Sequence, residues 1–335
     1  MVADLTADRA TLLPEVRTHT VGPLGTLFMV ADGMGGAAAG EVASQMATEV
    51  VLSTLRERWI TADVHTPERF AAALRSAADE ANAAIHGYAT KHPENRGMGS
   101  TATIAGLLHD TLFLAQVGDS RGYLVRDGVA RQITKDQSLV QRLIDAGELT
   151  EEEAEVSDRR NIILQALGPE ATVRIELTHQ RLRRGDVLIL CSDGLSGQVR
   201  SDEIARVVQQ ESDLVEVCKR LIDLANAAGG PDNITVIAAR FDGEGLATEG
   251  LDDAVRHQLY QSADEARETV PISAITDDPR IAEPRPTIRT TPLAAEPVVA
   301  RPRASARMVN IVFGIVFAVV AVLLALRYLP IASGN

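Results

Sequence analysis

Cysteine is nearly absent. Two residues, Cys191 and Cys218, in a chain of 335 leave no disulfide framework to organise a fold and suit a reduced, cytoplasmic setting. The 7 histidines and 2 cysteines form no zinc-type spacing, which sets aside the nitrogen and sulfur sites that such spacings build. A basic excess is lacking too. The 33 Lys and Arg stand against 46 Asp and Glu, the formal net charge is −13, and aromatics make up 3% of the chain, so nucleic acid is not expected as a partner. The polar, acidic start has no apolar h-region, and no signal peptide is expected. Long apolar runs are missing as well until Val309.

What is present is one device used four times. Asp32-Gly33-Met34-Gly35-Gly36 follows the apolar stretch Leu27 to Ala31, and Gly118-Asp119-Ser120-Arg121 follows Leu112 to Val117. Cys191-Ser192-Asp193-Gly194 follows Val187 to Leu190, and Gly229-Gly230-Pro231-Asp232-Asn233 precedes Ile234 to Ala239. Taken singly, each Asp fits a turn or a cap. Together they place four carboxylates at sheet margins, where repulsion and desolvation demand protonation, dispersal or a cation. Hard ions such as Mg²⁺ and Mn²⁺ take carboxylate and water oxygens. Two of them side by side bind a phosphoryl oxygen and lower the pKa of a bridging water, giving hydroxide at neutral pH and direct hydrolysis without a covalent intermediate. Gly33, without a side chain, lets a carbonyl or a ligand water come close to an ion.

In order along the chain stand VADGMGG with AGEVAS after it, GSTAT at Gly99 to Thr103, VGDSRGYLVRDG at Val117 to Gly128, ITKDQSLVQRLIDAGELTEEEA, NIILQALG, DVLILCSDGLS and GGPDNITVI. From about Leu27 to Arg240 the chain closely resembles the metal-dependent serine/threonine protein phosphatases of type 2C in their bacterial form. The resemblance implies hydrolysis of phosphoserine and phosphothreonine on proteins by a metal-bound hydroxide, reversing a Ser/Thr kinase. It also implies two Mn²⁺ or Mg²⁺ ions, bridged by Asp32, assisted by the Gly33 carbonyl and completed by Asp193 and Asp232. Asp119 resembles the acid that holds a third, weaker ion together with Asp193. Asn233 matches the residue after the last metal Asp, where it positions water or simply caps the turn.

One departure bears on activity. The family carries, before its first DG, an Arg that grips substrate phosphate and a NED-like run that helps hold metal. The nearest candidate here is Thr6-Ala7-Asp8, with Asp8 as the last acid and Ala7 where Glu or Gln is expected; the Arg position falls near Ala3. Arg9 and Arg17 are read as solvated. Either the start lies upstream and the first strand is missing, the favoured expectation because losing a strand exposes a sheet edge, or part of the phosphate grip is lacking. The alternative to a full enzyme is a weakened pseudophosphatase or a phosphoprotein-binding regulator. Met34 stands where many animal members carry His, and no general acid is assigned.

Periodicity places a strand at Gly25 to Ala31 with Leu27 and Met29 on one face and Phe28 and Val30 on the other. Helices are expected from Glu41, from Pro67, at Leu139 to Ala146, from Thr150 with a capping box, and from about Asp202 and Glu211. Strands are expected at Thr101 to His109, Thr111 to Gln116 and Gly122 to Arg126, with a turn at Asp127-Gly128. Grouped strands and paired helices argue α+β, and the resemblance sharpens this to two antiparallel sheets face to face with helices outside. Residues 1–241 are expected as the phosphatase domain and 242–307 as a disordered linker holding a weak helix signal near Ala254 to Arg267. A transmembrane helix is expected at 308–327 and a short tail at 328–335. Arg301, Arg303 and Arg307 before the helix, against Arg327 after it, place the catalytic domain on the cytoplasmic side of the cell membrane.

Overall fold

A computed structural model describes residues 1–6, 11–12, 18–230, 232–248 and 254–261. The chain opens with β1 (Val2–Asp4), β2 (Thr11–Leu12), β3 (Thr26–Val30) and the short β4 (Gly33–Met34). Helices α1 (Ala37–Leu55) and α2 (Pro67–Lys91) follow. Next come β5 (Gly99–Ser100), β6 (Ala102–Leu108), β7 (Thr111–Val117), β8 (Arg121–Arg126) and β9 (Val129–Gln132). An excursion carries α3 (Leu139–Asp145) and α4 (Glu151–Glu155). The described domain then runs through β10 (Glu176–Arg181), β11 (Val187–Cys191), α5 (Asp193–Ser196), α6 (Ser201–Gln210), α7 (Leu214–Ala227) and β12 (Val236–Arg240).

Among the described residues two main antiparallel sheets result, ordered β10-β7-β6-β3-β1-β2 and β12-β11-β8-β9, with β4 and β5 paired separately as a two-stranded ribbon. Strands apolar on both faces need cover on both, and three buried clusters supply it. Phe28, Val30, Ala105 and Leu114 of the larger sheet meet Leu124, Leu188 and Leu190 of the smaller one. On the far side of the larger sheet, Leu27 and Met29 pack with Ala47 and Val51 of α1 and Phe70 and Leu74 of α2. Behind the smaller sheet, Tyr123, Val125 and Ile189 pack with Ile204 and Val208 of α6 and Val217 and Leu221 of α7. The α+β sandwich is therefore present, and the two faces of β3 part as their alternation predicts.

Local chemistry fixes the element ends. Thr66 accepts from Arg69 N–H and Pro67 opens α2, while Thr150 and Glu153 form a reciprocal capping box on α4. Asp127 (φ +50°) and Gly128 (φ +77°) make the two-residue turn between β8 and β9.

Two expectations change. The flank of β3 that an absent first strand leaves open is covered: β1 pairs with β3, Ala3 opposite Leu27, and with β2 on its other side. Ala3, where the resemblance sets the phosphate-gripping Arg, is fully buried. The helix signal near Ala254 to Arg267 is also corrected. Residues 254–261 lie extended against β10, where His179 N–H donates to Gln258 O, Tyr260 N–H donates to Leu177 O and Tyr260 packs edge-on against Phe113. Backbone pairing and the apolar contact of Tyr260 outweigh the weak helical periodicity, and packed structure continues beyond residue 241. Residues 262–267, most of the expected linker and the expected membrane helix at 308–327 lie outside the described residues.

Candidate metal centre

Each of the four aspartates leaves the sandwich at the same rim. Asp32 follows β3, and its backbone is held at two points by residue 101: Thr101 N–H donates to Asp32 O at 2.8 Å and Asp32 N–H donates to Thr101 Oγ1 at 3.0 Å. The next residue, Gly33, crosses the first turn of α1 so closely that a Cβ on it would stand 1.9 Å from Gly40 O, so no other residue type fits without moving the helix.

Asp119 follows β7 in a loop held by Gln137, whose N–H donates to Gly118 O and whose Oε1 accepts from Gly118 N–H, both at 2.9 Å. Asp193 begins α5 directly after β11. Asp232 precedes β12, and its loop is tied to the Asp193 turn by Ser192, which donates through Oγ to Asn233 O at 3.2 Å and accepts from Thr235 N–H at 3.0 Å.

The four acids act on one another. Burial, the charge of Asp193, a hydrogen bond with the Asp193 carboxyl and the charge of Asp232 raise Asp32 to about 7. Burial, Asp193 and Asp136 raise Asp119 to about 7 as well. Asp193 is also raised, by burial and then by Asp232. Asp193 is thus the shared neighbour of the other three, and in the absence of a cation Asp32 and Asp193 satisfy each other only by sharing a proton.

As the side chains stand, no three acids, histidines or cysteines among the described residues form a group that encloses an ion. The donor set nevertheless fits hard divalent ions. Asp193 Oδ1 is buried with no hydrogen bond, a state that costs free energy until a cation or a proton reaches the oxygen, and the neighbouring groups are carboxylates rather than nitrogen or sulfur. A cavity of about 240 Å³ lies elsewhere, between the start of α2, β10 and the strap at 254–261. None of the four acids lines it.

Asn233 enters through its backbone, its N–H donating to Asp232 Oδ1 at 2.7 Å. Asp8 lies outside the described residues, as do Arg9 and Arg17. Sequence reading missed a second layer around Asp119. Arg121 donates to both oxygens of Asp136, from Nε at 3.0 and 2.9 Å and from Nη2 at 2.7 Å, and its charge opposes the upward shift of Asp119 and Asp193. The signal was present in VGDSRGY and ITKDQ, but the pairing of those two motifs needs the fold.

The family model for protein phosphatase 2C matches residues 17–235. Over 226 residues the chain is 39% identical to the serine/threonine phosphatase stp of Listeria monocytogenes, covering 68% of this chain and 87% of that one. It is 44% identical over 214 residues to the serine/threonine protein phosphatase PstP of Mycobacterium tuberculosis, covering 64% of this chain and 40% of that one. The crystal structure of the Mycobacterium tuberculosis phosphatase PstP/Ppp superposes with a TM-score of 0.58 at 41% identity, covering 65% of this chain and 88% of that one. The catalytic domain of PstP in complex with 2 manganese ions does so with a TM-score of 0.56 at 40% identity, again covering 65% and 88%.

Proposed function

The chain belongs to the protein phosphatase 2C family, and from that premise we propose how its own residues serve a metal-dependent serine/threonine protein phosphatase. The protein hydrolyses phosphoserine and phosphothreonine on proteins with manganese or magnesium as cofactor. The observation that carries the residue assignment is the meeting of three strand-end aspartates on Asp193, whose buried Oδ1 is without a hydrogen bond.

Asp32, Asp193 and Asp232, with the Gly33 carbonyl, would hold two ions, and Asp119 with Asp193 a third, weaker one. When bound, the ions supply Lewis acidity that neutralises phosphate charge and activates water. Asp32 and Asp193 would have to lose the proton between them to serve as ligands. The acids by themselves repel a phosphate dianion, so substrate binding depends on their neutralisation. The Gly33 carbonyl is left uncrowded by Gly40, where a Cβ would stand 2.7 Å from Gly33 O. Met34 has no proton to give the departing serine or threonine oxygen, and no side chain is assigned as general acid.

The test is phosphate release from a phosphopeptide by the full chain in Mn²⁺. Full activity in Asp193→Asn and Asp232→Asn would sink the assignment. A weakened phosphatase or phosphoprotein-binding regulator is the second reading, favoured by the burial of Ala3 and by the commitment of Arg121 to Asp136. Tight phosphopeptide binding without turnover in saturating Mn²⁺ would select it.

The proposal extends to the cell. No helix among the described residues is long and apolar enough to cross a membrane. The nearly unbroken apolar sequence from Val309 to Leu326 supports a single membrane-crossing helix, and the flanking arginines support a cytoplasmic catalytic domain whose substrates come from a Ser/Thr kinase. Release of the full chain from membranes by salt alone, without detergent, would contradict the anchor.

A further inference from the structure

The motif Gly99 to Thr103 supplies no ligand to the acid cluster, yet it joins two parts of it. Thr101 is 2% exposed. Besides its two hydrogen bonds to the backbone of Asp32, its Oγ1 lies 2.7 Å from Ser120 Oγ, one hydroxyl donating to the other. Ser120 is fully buried and directly follows Asp119. Its carbonyl oxygen accepts from Thr103 Oγ1 at 3.0 Å and from Gln116 Nε2 at 2.7 Å. On the other side of Asp119, Gly118 (φ +97°) presses so closely on Thr101 that a Cβ there would stand 2.7 Å from Thr101 Cγ2. One side chain therefore touches the backbone of Asp32 and both neighbours of Asp119.

Buried hydroxyls cost free energy unless they are paired. Val and Ala would occupy nearly the same volumes at 101 and 120, so filling the core does not require hydroxyls at these positions. What the hydroxyls add is direction, because a hydrogen bond fixes the relative placement of the two loops where apolar contact leaves them free to slide.

Building on the reading of the acids as metal ligands, we propose that the Thr101 and Ser120 hydroxyls form a positioning pair that holds Asp32 and Asp119 in one arrangement, so that ions at the two ends of the cluster bind interdependently. Thr101 and Ser120 act through the backbones that carry the ligands, as outer partners of ligating groups commonly do.

Calorimetric Mn²⁺ titration of the full chain tests this in wild type, Thr101→Val, Thr101→Ser, Ser120→Ala, Thr101→Val with Ser120→Ala, and Asp193→Asn. Thr101→Val and Ser120→Ala are each expected to weaken Mn²⁺ binding by roughly 10- to 100-fold. The double variant is expected to be little worse than Thr101→Val alone, which breaks the link to Ser120 and also removes the acceptor of Asp32 N–H. Thr101→Ser, which keeps the hydroxyl, restores wild-type affinity. Phosphate release should need more Mn²⁺ while its rate at saturating Mn²⁺ stays near wild type, and unchanged thermal melts of the metal-free variants separate this from partial unfolding, which Mn²⁺ would also reverse. Wild-type affinity in Thr101→Val or Ser120→Ala overturns the proposal, and so does equal damage in Thr101→Ser and Thr101→Val, which assigns the effect to packing. If Thr101→Val does not fold, Ser120→Ala decides by the same criterion. A wild type that binds Mn²⁺ no better than Asp193→Asn removes the ligand reading along with this one, whereas normal wild-type binding with unaffected hydroxyl variants removes this one alone.

Discussion

Asp119 and Asp232 hold similar places in the chain, each in a loop beside a strand, yet their surroundings are opposite. Asp119 is 7% exposed and raised to about 7 by burial, Asp193 and Asp136. Asp232 is exposed and receives one hydrogen bond, from the N–H of its neighbour Asn233. The same residue type therefore plays two parts. Asp119 is fixed in advance and needs a proton or a cation, whereas Asp232 faces solvent and can close on an ion from that side.

The largest effect should come from the residue that both share. Asp193→Asn is expected to lower phosphopeptide hydrolysis by roughly 10³-fold, the upper part of the range for losing one fixed electrostatic partner, because it removes the neighbour of every other acid. Asp232→Asn comes next at roughly 10²-fold. Asp119→Asn should cost less, about 10-fold, seen mainly as a higher Mn²⁺ requirement. Steady-state phosphate release across Mn²⁺ concentrations checks all three, and a larger loss in Asp119→Asn than in Asp232→Asn would invert the comparison.

A smaller effect is expected on the stability of the metal-free protein. Asp32 and Asp119 bind their protons more tightly folded than unfolded. Their contribution to stability is therefore full below the unfolded carboxylate pKa of about 4 and is lost as pH rises through about 7, because the folded state holds more protons across that window. Thermal melts in a chelator should show this fall, Asp119→Asn should flatten it, and Mn²⁺ should abolish it. A metal-free protein that gains stability from pH 5 to 8 would contradict the assigned burial of these acids. The smallest change belongs to Asn233→Ala, expected to alter activity by less than about threefold, since the backbone N–H supplies the bond to Asp232.

The strand-end aspartates were legible because turn chemistry at the end of an apolar run is local. The parting of Leu27 and Met29 from Phe28 and Val30 was legible for the same reason, as period-two alternation survives in any context. β10 was not legible. Its Glu-Leu-Thr-His-Gln-Arg sequence carries a single strongly apolar residue, and the strand exists because Thr178, Gln180 and their neighbours pair with β7. The strap at 254–261 likewise depends on a sheet edge nearly 80 residues away in sequence, His257 meeting Glu176 at 2.6 Å across a separation of 81. Arg121 with Asp136 and Thr101 with Ser120 were hidden in the same way. Each residue was visible, but its partner lies on another strand.

The central claim, that the four aspartates serve together as cation ligands, is tested most directly by proton release on Mn²⁺ binding. Calorimetry of the full chain in buffers of different ionisation enthalpy counts those protons. Carboxyls raised to about 7 predict Mn²⁺ binding that strengthens as pH rises, with proton release below pH 7 that fades above it, and loss of both binding and release in Asp193→Asn. Mn²⁺ binding that releases no proton at pH 6, or that persists unchanged in Asp193→Asn, would contradict it.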